Sequence, residues 1–118
     1  MDISRIRQEL TKNIDDKYHV FVSRAIPTDR PILGIRIPTV REIARKVPKE
    51  NYQEILKAEP VSLEELLLRG MLVARLPYDE MLKVFDSQVA LIDDWCSCDT
   101  FCASLKPLIK KHHQDFFE

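Results

Sequence analysis

Glycine is scarce in this sequence, and long uncharged apolar runs are missing from it. Two glycines in 118 residues is about 2%, against an average near ~7%. Tight hairpins, nucleotide-binding loops and β-barrels all consume glycine, and no G-x-G-x-x-G or Walker sequence occurs. The most apolar stretch, residues 63–76, is interrupted by two glutamates and two arginines. It is therefore too short and too charged for a transmembrane helix.

The chain also lacks a strong charge of either sign. It carries 18 Lys and Arg against 19 Asp and Glu, a net charge of −1, which does not indicate a strongly basic nucleic-acid-binding protein. No signal peptide is recognisable, because Asp2 and Arg5 interrupt the start and no apolar segment follows. Three cysteines, an odd number, favour a reducing compartment over a disulfide scaffold. We therefore expect a cytoplasmic protein.

Apolar residues recur at helical spacing along almost the whole chain. The length predicts one domain, and the periodicity predicts about eight helices joined by short loops. Short connections favour antiparallel helix pairs, and such pairs stack as an α-solenoid. The prediction is thus a single all-α domain over residues 1–118. Because the sequence shows no strict internal repeat, an irregular helical bundle is the alternative to the solenoid. The short apolar segment 32–38 is read as an ordered connection, since no second strand is available to pair with it.

Several residues have the type and spacing of helix caps and indicate where helices begin. Thr39 with Glu42, and Ser62 with Glu65, have the spacing of capping boxes. Asp93 or Asp94 is the expected N-cap of a helix running from Trp95 to about Lys106. Pro107 is expected to open a separate last helix that carries Leu108, Ile109, His112 and Phe116. Within the apolar helix at 63–76, Gly70 predicts close contact with a neighbouring helix.

The carboxyl end is a poor cap for a solenoid. A stacked helical array needs a polar surface at each end, whereas this sequence finishes Phe116-Phe117-Glu118. We expect a fragment or a shortened form of a longer protein, or an end that is covered by a partner.

The segment from residue 92 to residue 102 holds the most informative residues. Trp95 and Asp99 are four residues apart and so share a helical face, flanked by Cys98 and Cys102. Asp99 thereby falls within an apolar stripe, where a carboxylate needs a hydrogen bond, a cation or an opening into a cleft. One interpretation makes Asp99 a structural cap or the partner of an arginine. The other makes it a carboxylate beside an aromatic wall, suited to stabilising a developing positive charge.

The three cysteines form the pattern C-x-C-x₃-C. Cys98 and Cys102 could share a metal with His112 or His113, but zinc sites usually draw their ligands from two separated pairs, and no second cysteine pair exists. Buried thiols acting as small apolar residues are the preferred interpretation. We expect no metal and no cofactor.

Basic residues cluster between positions 24 and 46, where the net charge is +4. Candidate contacts to a nucleic-acid backbone within this cluster are Arg36, Arg41, Arg45 and Lys46. An ordinary solvated surface is the alternative. The segment from residue 79 to residue 99 opposes DNA binding, since its six acids and one lysine give a net charge of −5.

Four pieces of the sequence together resemble the DNA alkylation repair enzyme family, the AlkD-like DNA glycosylases. They are L-G-I-R-I-P at 33–38, R-x-I-A at 41–44, the glutamate pair 64–65 leading to Gly70, and I-D-D-W-C-S-C-D-T-F-C at 92–102. The resemblance covers about residues 32–106. It implies a superhelix of HEAT-like repeats and hydrolytic excision of cationic N-alkylated purines from duplex DNA, without flipping of the base into a pocket. It also implies that Asp99 is the catalytic aspartate and Trp95 a lesion-facing tryptophan.

The sequence departs from that family in length. Family members are about twice as long, and their second half supplies another aromatic wall, a catalytic arginine and much of the DNA-binding surface. We therefore expect weak or no activity from this chain alone, and weak, salt-sensitive binding to duplex DNA. A homodimer or the missing carboxyl-terminal half would complete the site. The alternative function is a non-catalytic HEAT-like scaffold for protein interactions.

Overall fold

The computed structural model describes residues 2–112, which form seven α-helices and one short 3₁₀ turn and no strand. The 3₁₀ turn, Lys49–Asn51, leads directly into the fourth helix. The helices are α1 (Ile3–Lys12), α2 (Asp16–Ala25), α3 (Ile37–Lys46), α4 (Tyr52–Lys57), α5 (Leu63–Val73), α6 (Tyr78–Leu91) and α7 (Trp95–Lys111). The predicted all-α fold is thus confirmed, and the segment before α3 is an irregular connection as expected. Within this part of the chain, no helix is long and apolar enough to cross a membrane.

The central element is α5, and every one of its eleven residues is buried. It packs against α3 on one side and against α6 and α7 on others, which gives an α-solenoid-like arrangement. Gly70 permits this approach, as predicted. A Cβ atom there would lie 3.1 Å from Gln88 Nε2 and 3.3 Å from a ring carbon of Phe101.

Two buried glutamates at the start of α5 tie the amino-terminal half of the chain to it. The Glu64 carboxylate accepts the backbone N–H groups of Leu33 at 2.9 Å, Gly34 at 3.0 Å and Ile35 at 3.3 Å. The Glu65 carboxylate accepts two hydrogen bonds from the Arg7 guanidinium, at 2.9 and 3.0 Å. This hydrogen bond raises the pKa of Arg7 above its ordinary value. Both carboxylates are therefore satisfied despite their burial.

Arg69 links α5 to its neighbours from inside the core. Its buried guanidinium donates to the side chain of Gln88 on α6 and, at 3.0 Å, to the carbonyl oxygen of Leu56 on α4. Burial lowers the pKa of this guanidinium below its ordinary value. Three helices thus meet at one buried cation that has no carboxylate bonded to it within residues 2–112.

Two of the predicted helix starts are confirmed, and two are wrong. Ser62 accepts the N–H of Glu65 at 3.1 Å, and Asp94 accepts the N–H of Ser97 at 2.7 Å, so both are N-caps. The predicted capping box at Thr39 is wrong, because α3 already begins at Ile37 with Arg36 as its N-cap and a proline in its first turn. Proline has a φ angle preset for the first helical turn, which moves the start upstream of the threonine.

The prediction of a helix break at Pro107 is also wrong. Helix α7 continues through this proline to Lys111, so the two helices expected at the end are one. Packing explains the continuation, because Phe101 and Leu105 before the proline and Leu108 and Ile109 after it belong to one apolar cluster. The predicted core position Phe116 and the chain end at 116–118 lie outside the described residues.

Candidate functional site

Trp95, the first residue of α7, lies at the surface beside the end of α2. Its side chain is 53% exposed, and its indole N–H donates to the carbonyl oxygen of Ala25 at 3.1 Å. The hydrogen bond fixes one edge of the ring and leaves about half of the indole open to solvent. The Asp94 cap, buried just before it, sets the direction in which α7 starts.

Asp99 follows Trp95 by one helical turn and is also exposed. No hydrogen bond or ion pair to its carboxylate occurs within residues 2–112. The expectation of an apolar stripe around it is therefore wrong, as is the interpretation of Asp99 as a helix cap or an arginine partner. The buried face of α7 is formed instead by Cys96, Ser97, Thr100, Phe101 and Leu105. Asp99 and Trp95 both lie on the outward face.

The cysteines divide between these two faces. Cys96 is buried, as expected, whereas Cys98 and Cys102 are exposed and correct the expectation of buried thiols. Burial raises the pKa of the Cys96 thiol. Burial and then the neighbouring Cys98 raise the pKa of Cys102, so neither thiol is activated as a nucleophile.

A metal site is not assembled in the described part of the chain. Residues 2–112 contain no cluster of three histidine, cysteine, aspartate or glutamate side chains that could hold a metal ion. His113, one of the ligands considered from the sequence, lies outside these residues.

Arg36 is separated from the other basic candidates because it lies at the opposite end of α3 from Lys46. Its guanidinium lies 3.5 Å from an oxygen of Asp15 and 4.9 Å from the centre of the Tyr18 ring. The N–H of Tyr18, followed by the charge of Arg36, lowers the pKa of the Asp15 carboxyl. Lys46 is exposed at the end of α3.

Two of the four basic candidates do come together. Arg41 and Arg45 are one turn apart on α3 and line a cavity of about 260 Å³ where α3 meets the end of α5 and the middle of α7. Arg75 completes this wall and was not singled out from the sequence, since it lies outside the basic cluster at residues 24–46, in the more acidic half of the chain. Ser104 from α7 lies against it and accepts a hydrogen bond from Arg41 at 3.4 Å. We call this cavity the arginine groove; its other lining residues are Ala44, Met71 and Ala74.

Part of the opposing acidic segment is neutralised. Asp93 pairs with Arg30 at 2.9 Å, and Asp94 is buried as the cap of α7. Asp79, Glu80 and Asp86 on α6 remain exposed. None of the acids of this segment lines the arginine groove.

The fold and this surface define an all-helical, α-solenoid-like protein with an exposed tryptophan–aspartate pair and a groove walled by arginines. The model of one family, described as DNA alkylation repair enzyme, matches residues 6–117. Because this covers nearly the whole chain, the protein belongs to the DNA alkylation repair enzyme family, as the resemblance indicated. No curated protein and no solved structure gives a significant match.

Proposed function

We propose that this member of the family acts in DNA alkylation repair by hydrolysing the N-glycosidic bond of cationic N-alkylated purines in duplex DNA. The observation that carries the proposal is the shared outward face of Trp95 and Asp99 on α7, with the Asp99 carboxylate unbonded to any of residues 2–112. An arginine paired with this carboxylate would neutralise much of the negative potential that it presents to a substrate.

The chemistry needs little beyond a positioned negative charge. As the bond between C1′ and the purine nitrogen breaks, its electron pair neutralises the cationic base, and the sugar becomes an oxocarbenium-like ion. Asp99 would stabilise that positive charge, and water would add at C1′ and release a proton. The exposed indole of Trp95 offers a face on which a cationic base can stack.

The exposure of Asp99 also supports weak or absent activity of this chain alone. Electrostatic stabilisation is strongest in a site from which water is excluded, and Asp99 stands in solvent. A second surface, from a homodimer or from further helical repeats of a longer protein, would have to cover the sugar. Arg36, Arg41, Arg45 and Lys46 are the proposed contacts to the DNA backbone, with the two groove arginines foremost. The three free thiols agree with a reducing compartment such as the cytoplasm.

The test is release of free base from a duplex that carries N-methylated purines. The native chain is compared with Asp99→Asn, and with Asp86→Asn on α6 as a charge-matched control at another exposed aspartate. Release that Asp99→Asn lowers by about 100-fold or more, and Asp86→Asn leaves unchanged, supports the mechanism. Equal release by all three forms would contradict the role of Asp99.

A non-catalytic scaffold is the second candidate, and one apolar surface favours it. Helices α6 and α7 form an apolar groove of about 360 Å³, and Leu82 and Val89 on α6 are more than 40% exposed. Exposed apolar surface of this kind marks interaction sites. A stable dimer in sedimentation, together with no base release and no affinity for DNA at low salt, would favour the scaffold.

A further inference from the structure

The arginine groove combines three guanidinium groups with a shortage of nearby negative charge. Arg41 and Arg45 project from α3, and Arg75 follows the end of α5. Arg45 pairs with Glu42 on its own helix. No ion pair of Arg41 or Arg75 occurs within residues 2–112. Two of the three positive charges of the groove, those of Arg41 and Arg75, are therefore not neutralised by an ion pair within the described part of the chain.

Two of these guanidinium groups, those of Arg41 and Arg75, donate hydrogen bonds to neighbouring parts of the fold. Arg75 donates to the carbonyl oxygen of Ala44 at 3.1 Å, which caps the end of α3 with a cation and offsets the negative end of that helix. Arg41 donates to Ser104 Oγ at 3.4 Å, and the Ser104 hydroxyl in turn donates to the Thr100 carbonyl oxygen at 2.8 Å. Ser104 is thus a positioning residue. Each arginine has five N–H donors, so most donors of Arg41 and Arg75 remain available to a ligand.

The groove is large enough for a small oxyanion. Its volume of about 260 Å³ exceeds the space that one tetrahedral phosphate group needs. Arginine is the side chain best suited to phosphate, because its planar fork donates two parallel hydrogen bonds to two oxygens. Arg41 and Arg45 from α3 and Arg75 from the segment after α5 all line this one space.

We propose that the arginine groove is a discrete binding site for one phosphate group, with Arg41, Arg45 and Arg75 as its ligands. The phosphate comes either from the backbone of DNA or from free inorganic phosphate. The site adds Arg75 and Ser104 to the sequence-derived candidates and leaves out Arg36 and Lys46. It does not depend on Asp99, so a failure of base release leaves it standing, and Asp99→Asn retains it.

The first experiment titrates the full chain with inorganic phosphate at constant ionic strength, with chloride as the reference anion. Amide and arginine Nε–H resonances in NMR report the site. We expect saturable shifts confined to the second half of α3 and to the surroundings of Arg75 and Ser104. Arg75→Gln and Arg41→Gln each weaken the affinity by about tenfold, the effect of losing a charge-assisted hydrogen bond.

The matched control is Arg5→Gln, which removes the same charge from an exposed arginine on α1. It should leave the phosphate affinity within about twofold, since Arg5 does not line the arginine groove. If a glutamine variant fails to fold, Arg75→Lys keeps the charge and removes only the fork, and its affinity should lie between those of the native chain and Arg75→Gln. Shifts that fail to saturate, or an equal loss in Arg5→Gln, would overturn the proposal.

The second experiment separates the two sources of phosphate. Fluorescence anisotropy measures binding of a duplex without terminal phosphates to the native chain, Arg75→Gln and Arg5→Gln. A loss of duplex affinity specific to Arg75→Gln assigns the site to the DNA backbone. Unchanged duplex affinity, with weakened binding of inorganic phosphate, assigns it to the free anion. No effect of Arg75→Gln on either ligand contradicts the site.

Discussion

At the scale of single residues, Glu64 holds the connection between α2 and α3 against the core. Its buried carboxylate replaces the hydrogen bonds that three consecutive N–H groups of residues 33–35 would make with water. Glu64→Gln keeps the size but turns an N–H₂ group towards these donors. We expect a loss of about 2 kcal/mol in the free energy of unfolding, measured by urea denaturation. Glu80→Gln, at an exposed position on α6, should change it by less than about 0.5 kcal/mol.

We expect substitution by alanine to be tolerated less well at Gly34 than at Gly70. Gly34 has a φ angle of +92°, and a Cβ there would lie 2.4 Å from the Cβ of His19. Gly34→Ala should therefore cost more than about 2 kcal/mol of stability, from backbone strain and steric overlap. Gly70→Ala gains up to ~1 kcal/mol of helix propensity against tight contacts of 3.1 Å with Gln88 and 3.3 Å with the Phe101 ring, which small shifts relieve, and should cost less than Gly34→Ala. Thermal unfolding measures the stability of both variants, and a larger loss of stability for Gly70→Ala than for Gly34→Ala would contradict this explanation.

Residue types near the site could be predicted from the sequence, but their surroundings could not. The spacing of Trp95 and Asp99 places both on one face of α7. Whether that face is buried depends on where α3, α5 and α6 lie, and no local pattern holds this information. Arg75 shows the same limit. It lies in the acidic half of the chain and reaches Arg41 and Arg45 only through the packing of α5 on α3.

At the scale of elements, the buried helix α5 was the easiest to predict, because a segment that is apolar almost all round has to be covered by neighbours. The starts of α5 and α7 could be predicted from their N-cap residues, since the side chains of Ser62 and Asp94 each accept a backbone N–H from the first turn of the helix. The end of α7 was missed for a physical reason. Proline disfavours a helix interior locally, and tertiary burial of the apolar residues on both sides of Pro107 outweighs that preference.

Pro107 should therefore lower the stability of the helix that contains it. It removes one backbone hydrogen bond from α7 and crowds the preceding turn. Pro107→Ala should raise the free energy of unfolding by about 1 kcal/mol or more, because the position is exposed and loses no core contact. Lys106→Ala, at the exposed neighbouring position, should have an effect of less than about 0.5 kcal/mol. Chemical denaturation followed by circular dichroism measures both, and a destabilised Pro107→Ala would mean that the proline shapes the packing of α7.

At the scale of the whole molecule, charge is divided between regions. The first 59 residues carry 12 basic and 9 acidic groups, and the remaining residues carry 6 and 10. Folding brings Arg75 from the acidic half to the basic α3, pairs Asp93 with Arg30 and buries Asp94 as a cap. The surface at α3 thereby becomes more basic than the sequence indicates, while the exposed acids of α6 still repel DNA. Net charge alone describes neither surface.

This division predicts weak duplex binding with a shallow dependence on salt. Because the arginine groove binds one phosphate group, it should contribute about −1 to the slope of log affinity against log salt, since each neutralised phosphate contributes ~0.9. Arg75→Gln should make the slope shallower by about 1, and Arg5→Gln should not change it. Anisotropy titrations of a short duplex over a range of salt concentrations measure these slopes. A slope steeper than about −3 would require more phosphate contacts than the three arginines of the groove can make, and would place most of the DNA-binding surface elsewhere on the molecule.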